Sequence, residues 1–179
     1  MKITLIRHAE TMFNENNKIQ GISNVKLSDV GVRNVLKLRD KIIDKHYDIC
    51  LMSPLSRCVE TAFLLVGDRV LTQVDERLIE RGMGNLEGKD FSSYDKHKYW
   101  NYDINSSEDD VEAIKDLIQR AKLFLNYIKK EYKDKSVLIV SHSAVIRAMI
   151  LLINNIPLAG ELYDKCEKIP NCYIGEFEI

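Results

Sequence analysis

Short apolar runs of strand length alternate along this chain with segments of helical period, and that alternation is its strongest constraint on the fold. Ile3 to Ile6 is a continuous apolar run followed at once by Arg7-His8, as expected of a strand covered on both faces. Ser28 is placed to cap a helix whose apolar positions Val32, Val35, Leu36, Ile42 and Ile43 fall near one face. Tyr47 to Met52 reads as a second buried strand, closed by Ser53-Pro54. A helix from Leu55 to Val66 follows, with Pro54 suited to its first turn. Val70 to Val74 reads as a further strand, and Gly82 to Ser107 shows no regular period. Val111, Ile114, Leu117, Ile118, Ala121, Phe124, Leu125 and Ile128 then step by three and four, with Ser107 as the expected cap. Val137 to Val140 is the next buried strand, before a helix through Ala144 to Ile153. Cys172 to Ile179 is expected as a last strand near an edge, given Glu176 and Glu178. Repeated strand–helix alternation predicts a mostly parallel sheet with helices on both faces.

Composition narrows the function classes. The 179 residues suit one domain, large enough to bury roughly 70% of the unfolded chain's surface. With 26 basic and 27 acidic residues, the net charge of −1 offers no footprint for nucleic acid or an anionic membrane. No apolar stretch reaches the roughly 18 residues a membrane span needs, and the first residues do not read as a signal peptide. Cys50, Cys58, Cys166 and Cys172 form no C-x-x-C pair. They read as small buried hydrophobes in a reducing cytoplasm rather than a disulfide framework or a zinc site.

Two segments share a layout: Ile3 to Ala9 and Leu138 to Ala144 each run from a buried strand to a histidine and then a small residue. Ligands of open α/β sheets bind beyond the carboxyl ends of the strands. His8 and His142 would both stand on that rim, and Ser53-Pro54 would deliver Arg57 there. A cluster of Arg7, His8, Arg57 and His142 beside helix N-termini suits a phosphate. Taken singly, either arginine reads first as solvated or paired with a local acid. His8 and His142 joined by a carboxylate would also have the composition of a non-haem iron site, against which two arginines in one pocket would act by repelling a cation. His46 and His97 lie in polar surroundings and read as surface residues.

The motifs resemble those of the histidine phosphatase superfamily, in its phosphoglycerate-mutase-like branch, and in particular a small bacterial-type phosphatase. Arg7-His8-Ala9-Glu10-Thr11 with Asn14 is similar to its R-H-G-E-T-x-x-N signature. The likeness runs on through Gln20-Gly21, Leu27-Ser28-x-x-Gly31 and Ser53-Pro54-Leu55-x-Arg57-x-x-x-Thr61-Ala62. Leu78-Ile79-Glu80-Arg81, Leu86-Glu87-Gly88 and Val140-Ser141-His142-x-x-Val145-Ile146-Arg147 complete the ordered set.

The resemblance implies a three-layer α/β/α sandwich with a mostly parallel central sheet and one antiparallel edge strand. It implies one domain over residues 1–179, with residues 82–110 as a substrate-covering segment. It also implies a metal-independent phosphomonoesterase, cytoplasmic, monomeric or homodimeric, acting on a small phosphorylated metabolite. His8 would be the nucleophile, with Arg7, Arg57, His142 and Asn14 around the phosphate. Glu80 would be the proton donor, Glu10, Glu76 and Glu87 lying in related segments. Gln20, Gly21, Arg81 and Ser143 would join the substrate site, and no metal or cofactor is required.

Four departures bear on activity. Ala9 replaces the usual glycine, which matters only if that residue needs positive φ, and Ser143 stands where glycine is commonest. Met83 occupies the place where mutases usually have tyrosine, and residues 89–110 offer no counterpart to the mutases' basic insertion. Hydrolysis is therefore the expected reaction, with phosphoglycerate-mutase-type transfer and a silent phospho-ligand binder as alternatives. Tyr94, Tyr99, Trp100 and Tyr102 would wall the pocket or pack a loop. Lys89, Lys96 and Lys98 would meet a second anionic group or stay solvated.

Overall fold

A computed structural model describes all 179 residues, Met1–Ile179. Its sheet has five strands: β1 (Lys2–Arg7), β2 (Ile49–Met52), β3 (Thr72–Val74), β4 (Ser136–Ser141) and β5 (Ile174–Glu178). They lie in the order β3-β2-β4-β1-β5. Leu5 pairs with Ile139, Cys50 with Leu138 and Leu51 with Gln73, all in parallel. β5 runs antiparallel against β1, with Gly175 opposite Leu5, and forms the edge.

The helices are α1 (Met12–Glu15), α2 (Asp29–Ile42), α3 (Ser56–Val66), α4 (Lys96–Tyr99), α5 (Ile114–Glu131) and α6 (Ser143–Ile153), of which α2, α3, α5 and α6 cover the two faces of the sheet. Strand alternation divides the core between them. Ile3, Leu5, Ile49, Leu51, Val137 and Ile139 pack with α5 and α6. Ile6, Cys50, Met52, Leu138 and Val140 pack with α2 and α3 on the opposite face. The result is the three-layer sandwich expected, and no helix is long and apolar enough to cross a membrane.

Residues drawn from both halves of α5, including Leu117, Phe124 and Ile128, are wholly buried. Burying each such large side chain stabilises the fold by about 1.5–3 kcal/mol. Ser28 caps α2 as expected, its Oγ accepting from the Gly31 amide at 3.1 Å.

Several boundaries differ from the sequence reading. α2 buries Gly31, Val35, Leu38 and Ile42, which leaves Leu36 and Ile43 exposed on its flank. Pro54 precedes the N-cap Leu55 of α3 rather than entering the helix. Ser107 makes no cap for α5: Asp109 and Asp110 turn the chain at positive φ, and α5 begins after Ala113. Cys50 and Cys58 are buried, whereas Cys166 and Cys172 are only half-buried, and all four thiols are free. Cys166 and Cys172 sit in the irregular chain between α6 and β5, outside the packed layers.

Candidate active site

Because β1, β2 and β4 are parallel, their carboxyl ends reach one rim together. The His8 amide donates to the Ser141 carbonyl, and the Ser53 amide to that of Val140, so the three strand ends stay in register as they leave the sheet. A cavity of about 650 Å³ opens there. Seven of its lining side chains are basic (Arg7, Lys18, Arg57, Arg81, Lys96, Arg147, Lys168) and two are acidic (Glu80, Asp164). That imbalance makes it an anion site in a chain of net charge −1.

His8 is 2% exposed and lines this cavity. Its Nδ1 lies 2.7 Å from the Ala9 carbonyl, which can only accept, so Nδ1 carries the proton and Nε2 is left with its lone pair. Burial, then the charges of Arg7 and Arg57, hold the imidazole pKa well below its ordinary value. The ring is therefore neutral with a bare Nε2. Ala9 has no positive φ, so its methyl is accommodated, and its amide donates to Thr61 Oγ1 at 3.2 Å.

Arg57 is wholly buried at the start of α3. Its Nε donates to His142 Nδ1 at 3.2 Å, Nη1 to Ser23 O and Nη2 to Gly21 O, both at 2.8 Å. Gly21 holds that carbonyl at φ +53°. Arg7 donates through Nη1 to Ile169 O at 2.7 Å, while its buried Nε has no protein partner. Asn14 Oδ1 accepts from the Thr11 amide at 3.1 Å, leaving its amide donors for the cavity it lines. Gln20 lines the wall with Oε1 buried and unpartnered. Ser143, the first residue of α6, brings a helix N-terminus to the same wall.

His142 stands differently from the sequence expectation. It is fully buried and does not line the cavity. Its Nδ1 accepts from Arg57, and its Nε2–H donates to Ser53 Oγ at 2.7 Å. Direct contact with a phosphate would require Nε2–H to leave Ser53. Burial foremost, then Arg57, holds this imidazole neutral too. With His8 Nδ1 and both His142 nitrogens so engaged, the pair does not offer the ligand set of an iron site.

Of the four carboxylates weighed, only Glu80 lines the cavity. Its Oε1 accepts from the Arg81 amide at 2.8 Å and Oε2 from the Ala144 amide at 3.5 Å. Glu87 instead braces the loop above, accepting from the Ile22 and Ser23 amides at 2.8 and 2.9 Å. Glu10 accepts from Asn34, and Glu76 is exposed. Arg81 is 1% exposed; Nε and Nη2 reach the carbonyls of Glu112 and Tyr99, and Nη1 is buried without a partner.

The sequence profile of the histidine phosphatase superfamily (branch 1) matches residues 3–178. The chain belongs to that superfamily. This histidine phosphatase is 32% identical over 165 residues to a putative phosphoserine phosphatase 2 of Hydrogenobacter thermophilus, covering 88% of this chain and 80% of that one. It is 28% identical to a metal-independent phosphoserine phosphatase of Arabidopsis thaliana, covering 90% of this chain and 72% of that one. A solved phosphoserine phosphatase of Entamoeba histolytica, in complex with 3-phosphoglyceric acid, superposes with a TM-score of 0.82 at 27% identity. That match covers 99% of this chain and 90% of the other. The protein is thus a phosphatase of the histidine type on a phosphoglycerate-mutase-like fold.

The rest of the wall divides expected residues from missed ones. Tyr94 and Trp100 line the cavity of this phosphatase, and Tyr99 stacks on Tyr94 with ring centroids 5.5 Å apart, so the aromatic cluster both walls the pocket and packs. Lys96 lines the cavity, Lys98 pairs with Glu108, and Lys89 is exposed. His46 and His97 are exposed as expected. Arg147, which the last motif includes without a role, also lines the cavity, and sequence reasoning missed Lys18, Tyr163, Lys168 and Ile169, all on the wall. Most of these lie in the aperiodic stretch after α6, where neither spacing nor motif singles them out.

Proposed function

We propose that this histidine phosphatase hydrolyses a small phosphorylated metabolite bearing a second anionic group, through a phosphohistidine on His8 Nε2. The observation that carries the reading is the His8 tautomer: Nδ1–H is committed to Ala9 O, and burial keeps Nε2 unprotonated. In the first step the Nε2 lone pair attacks phosphorus and the phosphorus–oxygen bond breaks. Glu80, protonated, gives its proton to the departing alkoxide. In the second, water attacks the phosphohistidine, Glu80 takes the proton from that water, and the phosphorus–nitrogen bond returns its electrons to Nε2. Arg7, Arg57, Asn14 and the α6 N-terminus at Ser143 hold the equatorial oxygens. His142 orients Arg57, and its Nε2–H exchanges Ser53 for a phosphate oxygen. No step needs a metal or a cofactor.

The second anion meets Arg81. A buried guanidinium with an open Nη1 donor is costly alone and is satisfied by a substrate carboxylate. Phosphoserine, named in the relatives above, has that chemistry. Residues 82–110 cover the substrate through Met83, Phe91, Tyr94, Lys96 and Trp100. The protein works as a monomer or homodimer in the cytoplasm, where four free thiols are stable, with no nucleic-acid or membrane partner.

The test is hydrolysis of an aryl phosphate and a metabolite panel in EDTA, with acid quenching to trap the phosphoenzyme. Turnover with an acid-labile phosphoenzyme, both lost in His8→Ala, is expected. An active His8→Ala variant would overturn the reading. Faster phosphoglycerate isomerisation than hydrolysis would assign the mutase reaction instead.

A further inference from the structure

Glu80 sits in a segment with no strand partner, between the short turns Glu76–Leu78 and Gly84–Leu86. What fixes it is one side chain of α5. Arg120 Nη1 donates to the carbonyls of Arg77 and Ile79 at 2.9 and 2.7 Å, and Nη2 to that of Glu80 at 3.2 Å. Its fork also closes on Glu112, Nε to Oε1 at 2.7 Å and Nη2 to Oε2 at 2.9 Å. Glu112 in turn accepts from the Gly82 amide at 3.2 Å and gives its own amide to Gly82 O at 2.9 Å. The Glu112 carbonyl accepts from Arg81 Nε at 2.8 Å. Residues on both sides of Glu80 are thereby tied to one guanidinium–carboxylate pair on and beside a rigid helix.

The Glu80 carboxylate has no comparable anchor of its own: one oxygen takes the Arg81 amide, the other a long contact at 3.5 Å from Ala144. Its aim is set by the main chain at 80–81, and that main chain is set by Arg120. We infer that Arg120, backed by Glu112, is a positioning residue for proton transfer to the leaving group. It touches neither substrate nor reacting atoms. A bidentate arginine suits the task because its planar fork satisfies a carboxylate and several carbonyls at once, which an ammonium cannot do. A displacement of about 1 Å in a catalytic group can cost on the order of 10²-fold in rate.

This inference rests on Glu80 as the proton donor, and the experiment separates the two. We would measure kcat/KM, which reports the phosphorylation step, for wild type, Glu80→Gln, Arg120→Lys and the double variant. The substrates are p-nitrophenyl phosphate, whose leaving group needs little protonation, and an alkyl phosphate, whose leaving group needs a proton. Arg120→Lys is expected to lose about 30-fold or more on the alkyl substrate and less than about threefold on the aryl one. The double variant should be no slower on the alkyl substrate than Glu80→Gln alone, since both changes remove the same proton transfer. A merely structural role would lower both substrates equally and multiply with Glu80→Gln; either result overturns the inference. If Glu80→Gln itself loses equally on both, the donor assignment fails and this inference with it. If Glu80→Gln discriminates and Arg120→Lys does not, only the inference fails. Should Arg120→Lys not fold by circular dichroism, Glu112→Gln carries the comparison. It weakens the fork yet spares the carbonyl bonds, and the same discrimination, smaller in size, is expected; its absence overturns the inference.

Discussion

His8 and His142 meet edge to face, ring centroids 5.1 Å apart and planes inclined at 61°. Both rings are almost completely buried, and both are kept neutral, chiefly by loss of solvent and then by guanidinium charge. A charged ring at either position would face its neighbour, Arg7 and Arg57 with little water to screen it. The same pressure that gives His8 its nucleophilic lone pair therefore makes acid expensive for the fold.

The first prediction concerns pH and stability. In the unfolded chain both imidazoles titrate near their usual pKa of about 6.5, whereas in the folded protein they stay neutral to lower pH. Below pH 6.5 the unfolded state then binds more protons, so stability falls as pH falls, by about 1 to 3 kcal/mol per pH unit for two rings. Urea unfolding at pH 7.5 and 5.5 reads this directly. His8→Asn should show a shallower loss than wild type over that window; parallel losses would remove His8 from the account.

A second prediction separates phosphate binding from recognition of the rest of the substrate. Arg81→Met keeps an unbranched side chain over Trp100, whose ring lies 5.5 Å from the guanidinium carbon, but removes the open Nη1 donor. KM for phosphoserine should rise tenfold or more, as expected for loss of a charged hydrogen bond of about 1.5–3 kcal/mol. KM for an aryl phosphate should change little. Equal rises on both would make Arg81 part of the phosphate cradle or a purely structural group.

The residues legible in the sequence share one physical origin. His8 follows β1 directly and Arg57 lies in the first turn of the helix after β2, so the apolar runs of β1 and β2 announce where the rim is, and a cationic pair at its edge has few structural uses. The layered architecture is legible in the alternation of strand and helix segments along the chain, and the continuous apolar run of β1 fits a strand whose Leu5 and Ile6 pack on opposite faces. Arg120 was illegible because it lies beside the apolar stripe of α5, where an arginine normally reads as solvated. Ser107 does not cap α5 for a local reason: Asp109 and Asp110 adopt positive φ, a conformation that spacing does not disclose. Lys168 and Ile169 escaped because the segment after α6 has no period at all.

Gly21 offers a third prediction, about backbone rather than charge. At φ +53°, an added Cβ would lie 2.0 Å from Glu87 Oε1. That carboxylate cannot swing away freely, since it holds the amides of Ile22, Ser23 and Met83. Gly21→Ala should cost about 2 kcal/mol or more in denaturant unfolding. It should also lower kcat/KM, because Gly21 O and Ser23 O orient Arg57. Unchanged values on both would show that the loop relaxes without disturbing the arginine.

The last prediction turns on Ser53, whose Oγ is the acceptor for His142 Nε2–H and also receives the Leu55 amide at 3.4 Å. Ser53→Ala removes an acceptor at a wholly buried position, and leaving a buried donor unpaired costs about 1–3 kcal/mol. The fold should be less stable by that amount in urea. Ligand binding should move the other way, because His142 would no longer surrender a hydrogen bond in order to reach phosphate. Vanadate, as a phosphate mimic, should then bind several-fold more tightly to Ser53→Ala than to wild type, with the gain absent in a Ser53→Ala/His142→Asn double variant. Weaker vanadate binding to the single variant would show instead that Ser53 is what aims the ring, and that His142 serves the site from behind Arg57 without exchanging partners.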